Sequence, residues 1–245
     1  MNNFSALTLL PLSVAIVGVV FSGVLLNRYV NGKRRPHELV WGIAFLMFAI
    51  AAGSQVYADA MGGWAPLSAR TFYLFGAILN VGYLGLGTMY LLFSKRVARL
   101  SLIITLLLTA YAIYSTLTVP LNVSALANTQ EVDWKLLFSV DVMPRILAGV
   151  FSGVGSVIVI AGALWSAYVV WRKRIMKERM IGLILLAVGT FTVAFGGTLK
   201  GLLHNDDYLY PTMAIGVVIM FFGYLQTIRV SVAKAKVPEQ VTSNA

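Results

Sequence analysis

The apolar residues of this chain are gathered into seven long runs that short polar stretches separate. A helix that crosses the hydrocarbon core of a bilayer needs about 20 mostly apolar residues. Lipid offers no hydrogen-bond partner to the backbone, so each run is predicted to be a helix. The predicted transmembrane helices are 6–27, 39–58, 70–93, 100–119, 146–171, 180–203 and 208–229. The pattern thus predicts an all-α integral membrane protein with seven transmembrane helices.

The basic residues predict the orientation of these helices. They cluster after helices 1, 3, 5 and 7, at 28–35, 95–99, 172–179 and 229–236. Connections rich in Lys and Arg stay in the cytoplasm. The opposite side carries the acidic residues Glu131, Asp133, Asp141, Asp206 and Asp207. We therefore predict an outside N-terminus and a cytoplasmic C-terminus, in a bacterial cytoplasmic (inner) membrane.

Composition agrees with this prediction and narrows the partners. Hydrophobic residues make up 59% of the chain and charged residues 11%, too few charges to cover a water-soluble domain. The net charge of +10 lies in clusters beside apolar runs, so the expected partners are the bilayer and anionic lipid headgroups, not nucleic acid. The chain has no cysteine, which excludes disulfides and thiolate metal sites.

The chain divides into a transmembrane domain, 1–229, and a short polar cytoplasmic tail, 230–245. Its one long connection is the outer loop 120–145, which contains the apolar residues Trp134, Leu136, Leu137 and Phe138. This loop either folds back over the helix mouths or anchors in the membrane interface. We favour the interfacial anchor.

A shift of 145 residues superimposes helices 1–3 on helices 5–7 and leaves helix 4 as a linker. Pro66 then falls on Pro211, and Gln55 falls on Lys200. Span spacing and loop charge match, which is consistent with a parallel 3+1+3 repeat.

Two stretches carry a resemblance to a known family. "NGKRRPHELVWGIAFLMFAIAAGSQV" followed by "RTFYLFGAILNVGYLGLGTMYLLF" resembles the start of the seven-helix input domains of bacterial sensor kinases, over about residues 28–93. The resemblance implies a sensory role. No kinase domain follows helix 7, so a signal is expected to pass through a partner protein.

The 3+1+3 layout is similar to the class that contains PQ-loop sugar transporters and rhodopsin-like proteins. The Pro-Gln pair of the PQ-loop family is absent, because Pro11 precedes Leu12 and Pro144 precedes Arg145. Helix 7 has no lysine of the kind that holds retinal in rhodopsins.

Charged groups are absent from the middle of every predicted helix, where carriers coupled to ions usually place one. The two histidines, His37 and His204, lie at helix ends, so neither haem nor a metal site is expected. No nucleophile–base pair or phosphate-binding loop is present, so an enzyme is the least favoured class, and we expect no cofactor.

Polar residues gather instead near the predicted outer mouth. Lys200 lies about 32 Å along helix 6 from Arg179, at the outer edge of the hydrocarbon core. We expect Asp59, on helix 2, to meet it across the bundle. These groups either form a ligand pocket, or they reach for the interface and bond between helices. The candidate ligand-binding residues are Gln55, Asp59, Arg70, Tyr73, Asn80, Lys200 and His204.

Glycines form faces on helices 5 and 6, typical of close helix packing in lipid. The prediction is that these two helices pack tightly together, or that one of them meets a protein partner or a second copy of the chain. The glycines are Gly149, Gly153, Gly182, Gly189, Gly196, Gly197 and Gly201.

Three functions fit these observations. The favoured hypothesis is a sensor-like protein with an outward-facing pocket for a small neutral, amphipathic or lipid-like ligand, which signals through a partner. The alternatives are a facilitator-type transporter of a small solute and an accessory subunit of a membrane complex.

Overall fold

A computed structural model describes residues 9–126, 134–138, 140–172, 177–203 and 209–235, and within them the regular structure is helical. The long helices are α1 (Leu9–Asn31), α2 (Pro36–Met61), α3 (Pro66–Leu92), α4 (Lys95–Thr118), α5 (Met143–Arg172), α6 (Lys177–Leu203) and α7 (Leu209–Ala235). A π-helical segment, Tyr73–Leu79, interrupts α3. A 3-10 turn, Val123–Leu126, and a short helix, Trp134–Leu137, lie between α4 and α5.

Five of these helices, α1 to α5, are long and apolar enough to cross a membrane. The apolar stretches found in α6 and α7 are shorter, Ile184–Gly197 and Pro211–Gln226. The predicted all-helical architecture is therefore confirmed for the described residues, and five of the helices could span a membrane. The count of seven spans, their orientation and the repeat remain predictions.

Proline and glycine set the turns between the first helices. Pro36 and Pro66 begin α2 and α3, where the missing N–H of proline removes no helical hydrogen bond. Gly62 ends α2 with φ 75°, a left-handed conformation that glycine adopts without steric cost. Its N–H donates to the Asp59 carbonyl at 3.3 Å. These tight turns keep α1, α2 and α3 adjacent.

Six helices pack in a ring, in the order α1, α2, α3, α5, α6, α7 and back to α1. The fourth helix, α4, lies outside this ring and packs mainly against α3. Aromatic side chains join α1, α2 and α7, where the ring of Phe21 stacks on Phe45 with centroids 3.9 Å apart and meets Phe221 at 5.2 Å. The ring leaves an internal space bounded by five of its helices.

Glycines bring α6 and α7 into close contact. A Cβ atom at Gly189 would lie 2.6 Å from the carbonyl oxygen of Gly216, and one at Gly223 would lie 2.8 Å from that of Gly182. Gly196 likewise packs directly against Thr212. The sequence prediction assigned the α6 glycines to a contact with helix 5 or another subunit, and the structure uses these to pack against α7. The spacing of the glycines shows that one face of the helix consists of small residues. It does not show which helix packs against that face.

The glycines of α5 lie in two different environments. Gly155 packs against α3, where a Cβ atom at Gly85 would lie 3.0 Å from the Cα atom of Gly155. A Cβ atom at Gly149 or Gly153 would meet nothing within 4 Å. One face of α5 is therefore closely packed and the other is open.

Candidate functional site

A cavity of about 540 Å³ lies inside the helix ring, between α2, α3, α5, α6 and α7. Its walls are mostly aliphatic, aromatic and small side chains, among them Phe48 of α2, Val193 of α6 and Met213 of α7. None of the described residues that line it is charged. Its volume falls within the range of about 300–1,000 Å³ typical of small-molecule sites.

Tyr73 and Asn80, both on α3, supply polar groups to this cavity, and both were predicted from the sequence. Tyr73 is 6% exposed and Asn80 is 2% exposed. The Asn80 Oδ1 atom accepts a hydrogen bond from the Val81 N–H at 2.6 Å. Within the described part of the chain, Asn80 Nδ2 and the Tyr73 hydroxyl donate no hydrogen bond. Neither donor atom is sealed off from the cavity space, so a ligand with acceptor atoms could bond to both.

The other hydroxyl groups of the cavity wall include two that already bond to helix carbonyls. Ser152 Oγ donates to the Ala77 carbonyl at 2.8 Å, and Thr190 Oγ1 donates to the Leu186 carbonyl at 2.8 Å. These side chains are satisfied within the protein, so Tyr73 and Asn80 are the stronger candidates for ligand contact.

The π-helical segment Tyr73–Leu79 begins at the first of these residues and ends directly before the second. Such segments widen the helix locally and occur frequently at functional sites. In a regular α-helix, the spacing of Arg70, Tyr73, Asn80 and Gly87 would place these residues close to one stripe. The structure divides that stripe: Tyr73 and Asn80 line the cavity, Arg70 bonds to the end of α4, and Gly87 packs against Trp41 of α2.

Arg70 binds the protein's own backbone. Its Nη1 atom donates to the Thr116 carbonyl, and its Nη2 atom donates to the Val119 carbonyl at 2.8 Å. The last carbonyls of a helix lack helical partners and carry partial negative charge. Arg70 therefore joins α3 to the end of α4, and it does not line the cavity.

Gln55 and Asp59 lie one helical turn apart on α2, and Gln55 Nε2 donates to Asp59 Oδ1 at 2.8 Å. Both side chains are buried, and neither lines the cavity. The backbone of Lys200 belongs to α6, but its side chain, like the whole of His204, lies outside the described residues. The predicted contact between Asp59 and Lys200 therefore stays a prediction.

Residues 134–138 of the outer loop fold back onto the bundle. The Trp134 side chain lines the cavity and stacks on Phe72, with ring centroids 5.1 Å apart. Phe138 contacts Tyr73 at 4.6 Å, and Leu137 and Phe138 are fully buried. The favoured prediction of an interfacial anchor is wrong for this segment. The reason is an aromatic surface on α3 and the preceding turn, including Trp64, that buries the segment better than the interface would.

A second, smaller cavity of about 50 Å³ adjoins the first. Four residues line both cavities: Phe45, Leu84, Thr190 and Met220. The smaller cavity extends away from the outer loop, toward Ser166 of α5 and Tyr224 of α7. The two cavities thus follow one another inside the bundle, with a narrow region between them.

Comparison with protein-family models, curated proteins and solved structures gave no match to this chain. The argument for function therefore depends on the geometry of the cavity.

Proposed function

We propose that this chain is a seven-helix, sensor-like membrane protein that binds a small neutral amphipathic ligand in the cavity between α2, α3, α5, α6 and α7. One observation carries the proposal. A cavity of about 540 Å³, whose described lining carries no charge, contains hydrogen-bond donors of two buried residues, Tyr73 and Asn80, that have no partner among the described residues. A concave apolar site with a few convergent polar groups is the usual form of a ligand site.

The lining defines the chemical class of the ligand. A charged ligand would lose its hydration in this cavity without gaining an opposite charge from the described lining residues, which is costly. The Tyr73 hydroxyl and the Asn80 amide can both donate, so the ligand carries acceptor oxygens such as those of a carbonyl, ester or hydroxyl group. The aromatic and aliphatic walls suit a hydrocarbon portion.

Signalling through a partner is supported by the way the cavity is built. Five helices and the Trp134 segment surround it, so a bound ligand contacts most elements of the bundle at once. The resemblance of residues 28–93 to sensor-kinase input domains is in keeping with this role. With the N-terminus outside, the basic connections would face the cytoplasm, where a partner or anionic lipid would meet them.

A facilitator-type transporter is the second candidate, and the smaller cavity favours it. A solute released past Phe45, Leu84, Thr190 and Met220 would enter that cavity. Proteoliposomes distinguish the two functions, because a transporter would accelerate the flux of a small neutral solute such as glycerol across the membrane and a sensor would not.

The ligand site is tested by removing one hydroxyl from each of two tyrosines on α3. Tyr73 lines the cavity, whereas the Tyr83 hydroxyl lies 3.3 Å from Thr109 Oγ1, outside the cavity. We expect Tyr73→Phe to weaken binding of monodecanoylglycerol about three- to tenfold, the value of one neutral hydrogen bond, and to leave the unfolding temperature unchanged. The matched control Tyr83→Phe should lower stability by about 1 kcal/mol and leave binding unchanged.

The measurement is equilibrium binding of radiolabelled monodecanoylglycerol to the protein in nanodiscs, after subtraction of binding to empty nanodiscs. Absence of saturable binding, or equal affinity of the Tyr73→Phe variant and the unmodified chain, would contradict the proposed site.

A further inference from the structure

The cavity wall contains an exposed glycine on α5 and another on α6. Gly153 of α5 and Gly197 of α6 both line the cavity, and both are exposed. A Cβ atom built at either position would meet nothing within 4 Å. No side chain stands at these positions, and no neighbouring described atom occupies the space beside them.

The two glycines lie at the same level of the bundle. Both are about 30 Å along their helices from the connection that joins α5 to α6, at 1.5 Å per residue. Closer to that connection, Ala163 and Ala167 of α5 and Ala187 of α6 are buried. Buried small residues thus lie nearer the connection, and the exposed glycines lie farther from it along both helices.

The surroundings of the two glycines suit contact with lipid. Exposed apolar side chains flank them, Val150 and Val154 on α5 and Phe195 on α6. Exposed aromatic residues that include Trp171, near the opposite end of α5, mark a membrane interface. Gly153 lies about 27 Å along the helix from Trp171, within a hydrocarbon core about 30 Å thick.

We propose that the gap between Gly153 and Gly197 is a lateral portal, through which the ligand enters the cavity from the bilayer. This inference rests on the proposed function and identifies the ligand as a neutral single-chain amphipath. Its head accepts hydrogen bonds from Tyr73 and Asn80, and its tail extends through the gap. On the side of the loop between α4 and α5, the stacked rings of Trp134 and Phe72 form part of the cavity wall.

A single thiol in the portal tests this inference, because the chain contains no cysteine. Gly153→Cys adds a side chain where a Cβ atom meets no neighbour, so the variant is expected to fold. The folded variant is then alkylated with pyrenylmaleimide dissolved in the bilayer. Gly23→Cys on α1 is the matched control, since Gly23 is also exposed and a Cβ atom there meets nothing within 4 Å.

The first readout is the rate at which radiolabelled monodecanoylglycerol associates with the protein in nanodiscs. Alkylation of the Gly153→Cys variant should slow association at least tenfold, and alkylation of the Gly23→Cys variant should not change it. The second readout needs no ligand. The thiol of Gly153→Cys should react faster with bilayer-dissolved pyrenylmaleimide than with a charged, water-soluble maleimide.

The outcomes separate the two proposals. Binding by the unmodified chain together with unchanged association after alkylation at position 153 overturns the portal and leaves the proposed function standing. Faster reaction with the charged reagent also overturns the portal. If the unmodified chain shows no saturable binding, the proposed function and the ligand class fall together, even when the thiol reacts fastest from the lipid.

Discussion

Substitution of Arg70 distinguishes a structural role for this residue from a ligand-binding role. The sequence placed it among the candidate ligand residues, whereas its guanidinium donates to the Thr116 and Val119 carbonyls at the end of α4. Arg70→Met keeps a long apolar side chain and removes both hydrogen bonds. We therefore expect this substitution to destabilise the ligand-free protein.

The expected loss is about 2 kcal/mol. A hydrogen bond from a charged donor contributes about 1.5–3 kcal/mol, and two such bonds are lost. The guanidinium is partly exposed, which reduces the total, because water can replace it at some of the carbonyls. The Thr116 residue is fully buried, so its carbonyl is poorly hydrated after the change. For a chain of this size, about 2 kcal/mol corresponds to a fall of roughly 4–8 °C in unfolding temperature.

Thermal unfolding in one detergent, at one scan rate, measures this effect. Arg70→Lys should give an intermediate loss, because one ammonium group does not replace a guanidinium that binds two carbonyls. Arg96→Met is the control, since Arg96 is exposed near the opposite end of α4 and should change stability by less than about 0.5 kcal/mol. An Arg70→Met variant with unchanged stability and abolished monodecanoylglycerol binding would refute the structural role.

Two further substitutions test the packing of the bundle. Gly189→Val should destabilise the protein by more than about 3 kcal/mol, because the valine side chain would meet the backbone of α7. Gly23→Val is the control and should not destabilise it, since a Cβ atom there meets nothing within 4 Å. Equal unfolding temperatures of the two variants would show that α6 and α7 are not in close contact. Glu38→Gln should lower the free energy of unfolding by about 1–2 kcal/mol, since buried Glu38 pairs with the half-buried Arg28 at 3.3 Å. Adding Arg28→Met to this variant should recover part of that loss in the same thermal assay.

The positions of the long helices could be predicted because one rule governs them. In lipid every backbone group must be satisfied within the helix, so the apolar runs alone define the elements. Tyr73 and Asn80 could be found for a related reason, since a polar group deep in an apolar span must face a partner or a cavity. The sequence places Gln55 among the candidate ligand residues, and it does not distinguish a ligand contact from the hydrogen bond that Gln55 donates to Asp59 on the same helix.

Features that depend on several segments could not be read from local pattern. The π-helical segment of α3 is absent from the residue periodicity, since Tyr73–Leu79 is apolar enough for either helix type. The burial of Leu137 and Phe138 depends on an aromatic surface that only the folded bundle assembles. The hydrogen-bond partners of the Arg70 side chain likewise depend on where α4 ends.

The glycine contact between α6 and α7 has a mechanical consequence. Where the backbones of two helices touch, as at Gly189 and Gly216, no flexible side chains lie between them to absorb displacement, so the pair is stiff. Where α5 and α6 border the cavity, Gly153 and Gly197 make no such backbone contact with a described residue of another helix. A ligand that strains the cavity wall would therefore move α6 away from α5 at this level. Since α6 and α7 form a stiff pair, they would tilt together as one rigid body.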